Sequence, residues 1–120
     1  MIDDGIHGWN VSEIRDAVFR QSEERAESVR ADAMERAHRI ADLLKARYSA
    51  SAVTLYGSLA EGCFHDRSDM DILVEGFNGP YWEMYVEADE IAGPFDLSVV
   101  CIEDAEDTLI EYARERGIRL

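Results

Sequence analysis

Two short β-forming runs bracket a glycine-serine turn, and they restrict this chain more than any other feature. Residues 52–56 (AVTLY) lead into Gly57-Ser58; ten residues later come Asp69, Met70 and Asp71, with Ile72, Leu73 and Val74 behind them. Both runs are short, apolar and flanked by turn formers, which is how strands read. If residues 69–75 are extended, side chains two apart share a face and stand about 7 Å apart along it. Asp69, Asp71 and Leu73 then face one way, and Met70, Ile72 and Val74 the other. Placing two acids on one face at a strand start has little structural use. Chemically, the pair is suited to holding divalent cations against a triphosphate.

Ahead of this unit, residues 11–48 contain no glycine or proline. Their apolar positions Val11, Ile14 and Val18, then Val29, Ala33, Ala37, Ile40 and Leu44, recur at helical spacing. Asn10 with Glu13 resembles a capping box at the start. One long helix or two collinear helices both fit, and the polar stretch 21–28 is the expected bend or exposed turn. At about 1.5 Å per residue such a helix outruns a small domain, so its first half is expected to serve an interface.

Beyond residue 75 a turn through Gly76, Asn78 and Gly79 leads to a helix over 80–92, with Pro80 at its first position and Gly93-Pro94 after it. Residues 95–102 (FDLSVVCI) alternate as a third strand, with Phe95, Leu97, Val99 and Cys101 on its apolar face and Asp96, Ser98 and Val100 opposite. Glu103-Asp104 is expected to open a last helix that stops at Gly117, and residues 118–120 to add a final extended piece. The pattern is a long helix, then β-loop-β-helix-β-helix. It predicts an α/β fold: a small mixed sheet of three to four strands with helices packed on one face, preceded by a long N-terminal helix.

Composition narrows the setting. A chain of 120 residues with 47% apolar content is one compact domain. It holds no run of about 20 apolar residues, so no membrane span is expected. The acidic start lacks a signal-peptide layout, and a cytoplasmic location is expected. Cys63 and Cys101 form no metal-binding pair; Cys101 is expected to pack as a small hydrophobe. Twenty-six acids against twelve bases give a net charge of −14. That balance disfavours nucleic acid and anionic lipid, whose affinity comes from Lys and Arg on phosphate. It suits a basic protein partner, or equally a solubilised or salt-adapted surface.

If the second and third strands pair, Asp96 lies about 4.8 Å from the strand carrying Asp69 and Asp71, on a matching face. Three carboxylates so gathered call for a cation, and oxygen-only donors favour Mg²⁺ or Mn²⁺. Gly57 allows close backbone approach to a phosphate, and the Ser58 hydroxyl can donate to one. Gly62 keeps the short helix after Ser58 from crowding a nucleotide, and Arg67 offers a positive charge in the same loop.

Residues 55–74, LYGSLAEGCFHDRSDMDILV, resemble the signature of the DNA polymerase β-type nucleotidyltransferases, G-S-x10-D-x-D. The small size and the SDMDILVEG continuation resemble the MNT (minimal nucleotidyltransferase) family within it. The resemblance spans about residues 30–120, leaving residues 1–28 as an N-terminal helical extension and 29–120 as the minimal domain. It implies a nucleotidyltransferase-like fold and a transferase that moves AMP from ATP to a hydroxyl, with Mg²⁺ or Mn²⁺. By the family pattern Asp69 and Asp71 bind both metals. Asp96 binds the catalytic metal and helps deprotonate the acceptor, and Gly57 and Ser58 hold the β- and γ-phosphates. Many such proteins resemble antitoxins that silence a HEPN-type ribonuclease toxin by AMPylation of a tyrosine, so a basic HEPN-type toxin is the implied partner, in a homo- or hetero-oligomer.

The family often carries basic residues directly after GS and two residues on; here those places hold Leu59 and Glu61. They favour an alternative, an antitoxin with weakened catalysis that neutralises its toxin by contact. A second alternative is a small-molecule transferase of the aminoglycoside-modifying kind, for which the chain leaves little room.

Overall fold

The computed structural model describes residues 11–64 and 68–120. The cap expected at Asn10 lies outside the described residues. From Val11 to Arg47 the chain forms one helix, α1, with no break at the polar stretch 21–28. That stretch is exposed but remains helical, because Glu, Arg, Gln and Ala are good helix formers and nothing there interrupts the backbone ladder. The helix is about 55 Å long, and the chain's greatest extent is 69 Å.

Only the second half of α1 enters the core. Ala33, Ala37, Ile40, Ala41 and Leu44 are buried, whereas Ile14, Val18 and Phe19 stand in solvent. The alanines let α1 lie close to the sheet and to the second long helix. Burying each large side chain beside them, such as Ile40 or Leu44, contributes about 1.5–3 kcal/mol.

The sheet follows from strand patterning. Strand β1 (Ala52–Tyr56) leads through a one-turn helix, α2 (Ser58–Glu61), to β2 (Asp69–Glu75). Helix α3 (Tyr81–Ala92) then crosses to β3 (Asp96–Cys101). Helix α4 (Asp107–Arg116) and a two-residue strand β4 (Ile118–Arg119) complete the chain. The strand order is β3-β2-β1-β4. β2 and β3 run parallel, while β1 is antiparallel to both β2 and β4. This is the expected small mixed sheet. The extended tail is present as β4.

Besides one-residue shifts at both ends of the third strand, which runs Asp96–Cys101, two helix starts differ from the sequence reading. Pro80 stands just before α3 in an extended conformation, and the helix starts at Tyr81. Glu103 and Asp104 belong to a 3-10 turn (Ile102–Asp104), and α4 begins three residues later at Asp107. Ile102 and Ala105 pack beside Leu73 on the sheet, which turns the chain once before the helix starts.

The alternation on β2 and β3 sorts as expected. Met70, Ile72, Val74, Leu97 and Val99 join α1 and α3 in the main core, with Cys101 partly buried against it. On the other face Leu73 packs with Tyr56 and with Ala113 of α4 in a smaller cluster, so α4 covers part of the face that was expected to carry no helix. The remainder of that face carries the acids. At the outer edge of β3 two tyrosines of α3 occupy the strand's carbonyls. Tyr81 Oη donates to Val99 O at 2.7 Å and Tyr85 Oη to Leu97 O at 2.7 Å. An edge so covered presents fewer free groups to another strand. Among the described residues no helix is long and apolar enough to cross a membrane.

Candidate active site

Strand register places the acids. Asp69 lies directly opposite Asp96 across the parallel β2-β3 pair, and Asp71 opposite Ser98. On its other side Asp71 faces Tyr56 of β1. Directly opposed residues in a sheet share a face, so Asp69, Asp71 and Asp96 all emerge on the side away from α1 and α3. Asp69 and Asp96 are exposed and Asp71 is half-buried.

The turn after β1 fits against this face. Gly57 has φ +81°, a conformation that L side chains rarely adopt, and a Cβ there would lie 2.5 Å from Asp71 Oδ2. Glycine is thus required twice, by backbone angle and by the neighbouring carboxylate. α2 follows at once. Glu61 N–H donates to Gly57 O at 3.0 Å and Cys63 N–H to Ser58 O at 2.9 Å. Gly62 ends the helix in the left-handed conformation, φ +83°, where a Cβ would meet an Arg30 guanidinium nitrogen at 3.3 Å. Arg67 and His65 lie outside the described residues.

Electrostatics single out Asp71. Burial, and then the charge of Asp69, push its carboxyl up to about 6. The Tyr56 hydroxyl is raised as well, by burial first and by Asp71 second. A site that keeps two acids this close relieves their repulsion by binding a cation, and carboxylate oxygens suit Mg²⁺ or Mn²⁺. The donor chemistry therefore fits a hard divalent ion at Asp69 and Asp71. Among the described residues, however, no three acidic, histidine or cysteine side chains gather into a group able to hold one ion. Asp96 shares the face with the pair without closing a three-ligand cluster. Like charges 4 Å apart cost on the order of 4 kcal/mol even at an effective dielectric near 20, which keeps such side chains apart.

The two unusual positions after Ser58 point elsewhere than at the acids. Leu59 is buried in the main core and anchors α2. Glu61 turns to α4, where it accepts hydrogen bonds from the Tyr112 hydroxyl and from Arg116 Nη1, the latter at 3.3 Å. Arg30, Tyr112 and Arg116 were not singled out by motif. Each reaches the site from a distant segment, and no local spacing marks it. Beside α4 an open groove of about 570 Å³ is lined by Val100, Asp104, Glu106, Thr108, Leu109 and Tyr112.

A small mixed sheet with α1 and α3 over one face, and with α4 and a glycine-serine turn beside strand acids on the other, is the nucleotidyltransferase-like architecture. The family model described as "Polymerase beta, Nucleotidyltransferase" matches residues 38–120, and the chain belongs to that family. No curated protein matches the chain by sequence. Among solved structures, the chain is similar to one described as a toxin-antitoxin with AMP-PNP, at 24% identity and TM-score 0.59, covering 69% of this chain and 70% of that one. It is also similar to a mutant of the toxin-antitoxin MntA-HpeT, at 25% identity and TM-score 0.57, covering 69% of each chain. Residues 11–37, which include the exposed half of α1, precede the family match.

Proposed function

We propose that this chain is a metal-dependent nucleotidyltransferase of the minimal kind, acting as an antitoxin that moves AMP from ATP to a tyrosine hydroxyl of a partner toxin. The observation that carries the reading is the register of Asp69, Asp71 and Asp96 on one face beside the Gly57-Ser58 turn. The solved toxin-antitoxin assemblies, one with an ATP analogue, support the choice of nucleotide and partner.

In this reading Asp69 and Asp71 hold Mg²⁺ or Mn²⁺, which when bound neutralises charge on the triphosphate. Gly57, Ser58 and Gly62 shape the bed for its β- and γ-phosphates, with Arg67 adding positive charge. The acceptor oxygen attacks the α-phosphorus, and its proton passes to the Asp96 carboxylate. The bond from the α-phosphorus to the bridging oxygen breaks, and pyrophosphate leaves with that electron pair. The work of the protein is placement and charge, as in phosphoryl transfer generally.

The test is incubation with the protein encoded beside it, ATP and Mg²⁺, read by intact mass. The expected result is a gain of one or more AMP units on the partner, abolished by Asp71→Asn and by EDTA. A tight complex with no mass change would instead make the chain a contact inhibitor.

A further inference from the structure

We propose that Glu61 is a positioning residue: Tyr112 and Arg116 of α4 clamp its carboxylate and so hold the Gly57-Ser58 turn in place for the triphosphate. The inference rests on the nucleotidyltransferase reading of that turn.

α2 is a single helical turn, Ser58–Glu61, and no side-chain hydrogen bond caps its start. One turn of helix is not stable by itself. Leu59 anchors one side of it in the core. Its far end is held by Glu61, both of whose oxygens accept bonds from α4. Tyr112 and Arg116 stand four apart on α4 and share a face, so the two donors converge from one side.

The clamp also reaches the acids. The Tyr112 ring packs edge-on against Tyr56, centroids 6.2 Å apart and planes at 83°. Tyr56 lies opposite Asp71 in the sheet. Glu61, Tyr112, Tyr56 and Asp71 thus form a continuous series from the turn to the cation-binding pair. Tyr112's hydrogen bond, and then Arg116, keep the Glu61 carboxyl below its ordinary range. A glutamate where relatives often carry a basic residue does not face the phosphates as a free anion. It is charge-balanced by Arg116.

Exposed ion pairs contribute little to global stability, so the effect belongs to placement. Small displacements of a binding group lower rates and affinities steeply. Glu61→Ala is expected to raise the KM for ATP·Mg²⁺ about tenfold with a smaller change in kcat and an unchanged thermal midpoint. Glu61→Gln keeps an oxygen for the Tyr112 hydroxyl and is expected to restore most of the loss. Tyr112→Phe should weaken binding in the same direction, less than additively with Glu61→Ala. If Glu61→Ala binds ATP·Mg²⁺ as tightly as the wild type, or more tightly, the glutamate is neutral or repulsive and the inference falls. If the wild type itself binds no ATP·Mg²⁺ in calorimetry, the nucleotidyltransferase reading fails first and takes this inference with it.

Discussion

Gly57 and Asp71 are packed so closely that no side chain fits between them: a Cβ on Gly57 would sit 2.5 Å from Asp71 Oδ2. The same glycine has φ +81° and ψ −154°, a region essentially closed to other residues. Gly57→Ala must therefore strain the turn and push Asp71 aside together. Urea denaturation should show a loss of about 1–3 kcal/mol, the usual size of such backbone strain. Transfer activity should fall by more than that loss of stability explains. Wild-type stability and activity in this variant would mean that the turn and the carboxylate move independently.

Asp71 makes the stability of the metal-free protein depend on pH. Its carboxyl is raised from 3.8 to about 6 by burial and by Asp69. The folded state therefore holds this proton more tightly than the unfolded chain. The resulting contribution is fully present below about pH 4 and is lost as pH rises through about 6. Asp71→Asn removes it. Denaturation midpoints of wild type and variant, compared between pH 4 and pH 7, should diverge, with the variant gaining relative stability at the upper end. Parallel profiles would mean that the Asp71 carboxyl is not raised in the folded protein.

The covered edge of β3 gives a second stability test. Tyr81→Phe and Tyr85→Phe each remove one hydrogen bond to a strand carbonyl and little else. Each should cost about 0.5–1.5 kcal/mol in thermal or chemical unfolding. The double variant should also self-associate more at high concentration, visible by sedimentation, because the Leu97 and Val99 carbonyls become available to another strand.

The exposed half of α1 should be dispensable for folding. Among the described side chains of α1, the first that pack with the main core are Val29 and Ala33. A chain of residues 29–120 should unfold within a few degrees of the full chain and bind ATP·Mg²⁺ with the same affinity. Its helix content should drop by the lost segment. A large loss of stability would show that the division at residue 28 cuts a folding unit.

The strands and their faces were legible in the sequence because a period of two is a local property. Met70, Ile72 and Val74 against Asp69, Asp71 and Leu73 could be sorted by alternation, and the sheet sorts them so. Helix over residues 11–47 was legible because nothing there breaks one, but the sequence left one helix or two open and placed a bend or exposed turn at 21–28, where the structure keeps a single helix. The start of α4 was misplaced, since acids at Glu103-Asp104 suit a first helical turn equally well. What decided against them was Ile102 and Ala105 packing beside Leu73, a contact across the sheet.

By itself, the sequence determined the glycine-serine turn, the paired acids and a third acid near the start of another strand, because spacing and alternation are short-range. Only the tertiary structure decided that Asp69 and Asp96 stand abreast, that Arg30 lies against Gly62, and that Glu61 is bound by Tyr112 and Arg116. Those last partners are 51 and 55 residues away along the chain. No local pattern encodes such a meeting; it exists only once the sheet has closed and α4 has packed on it.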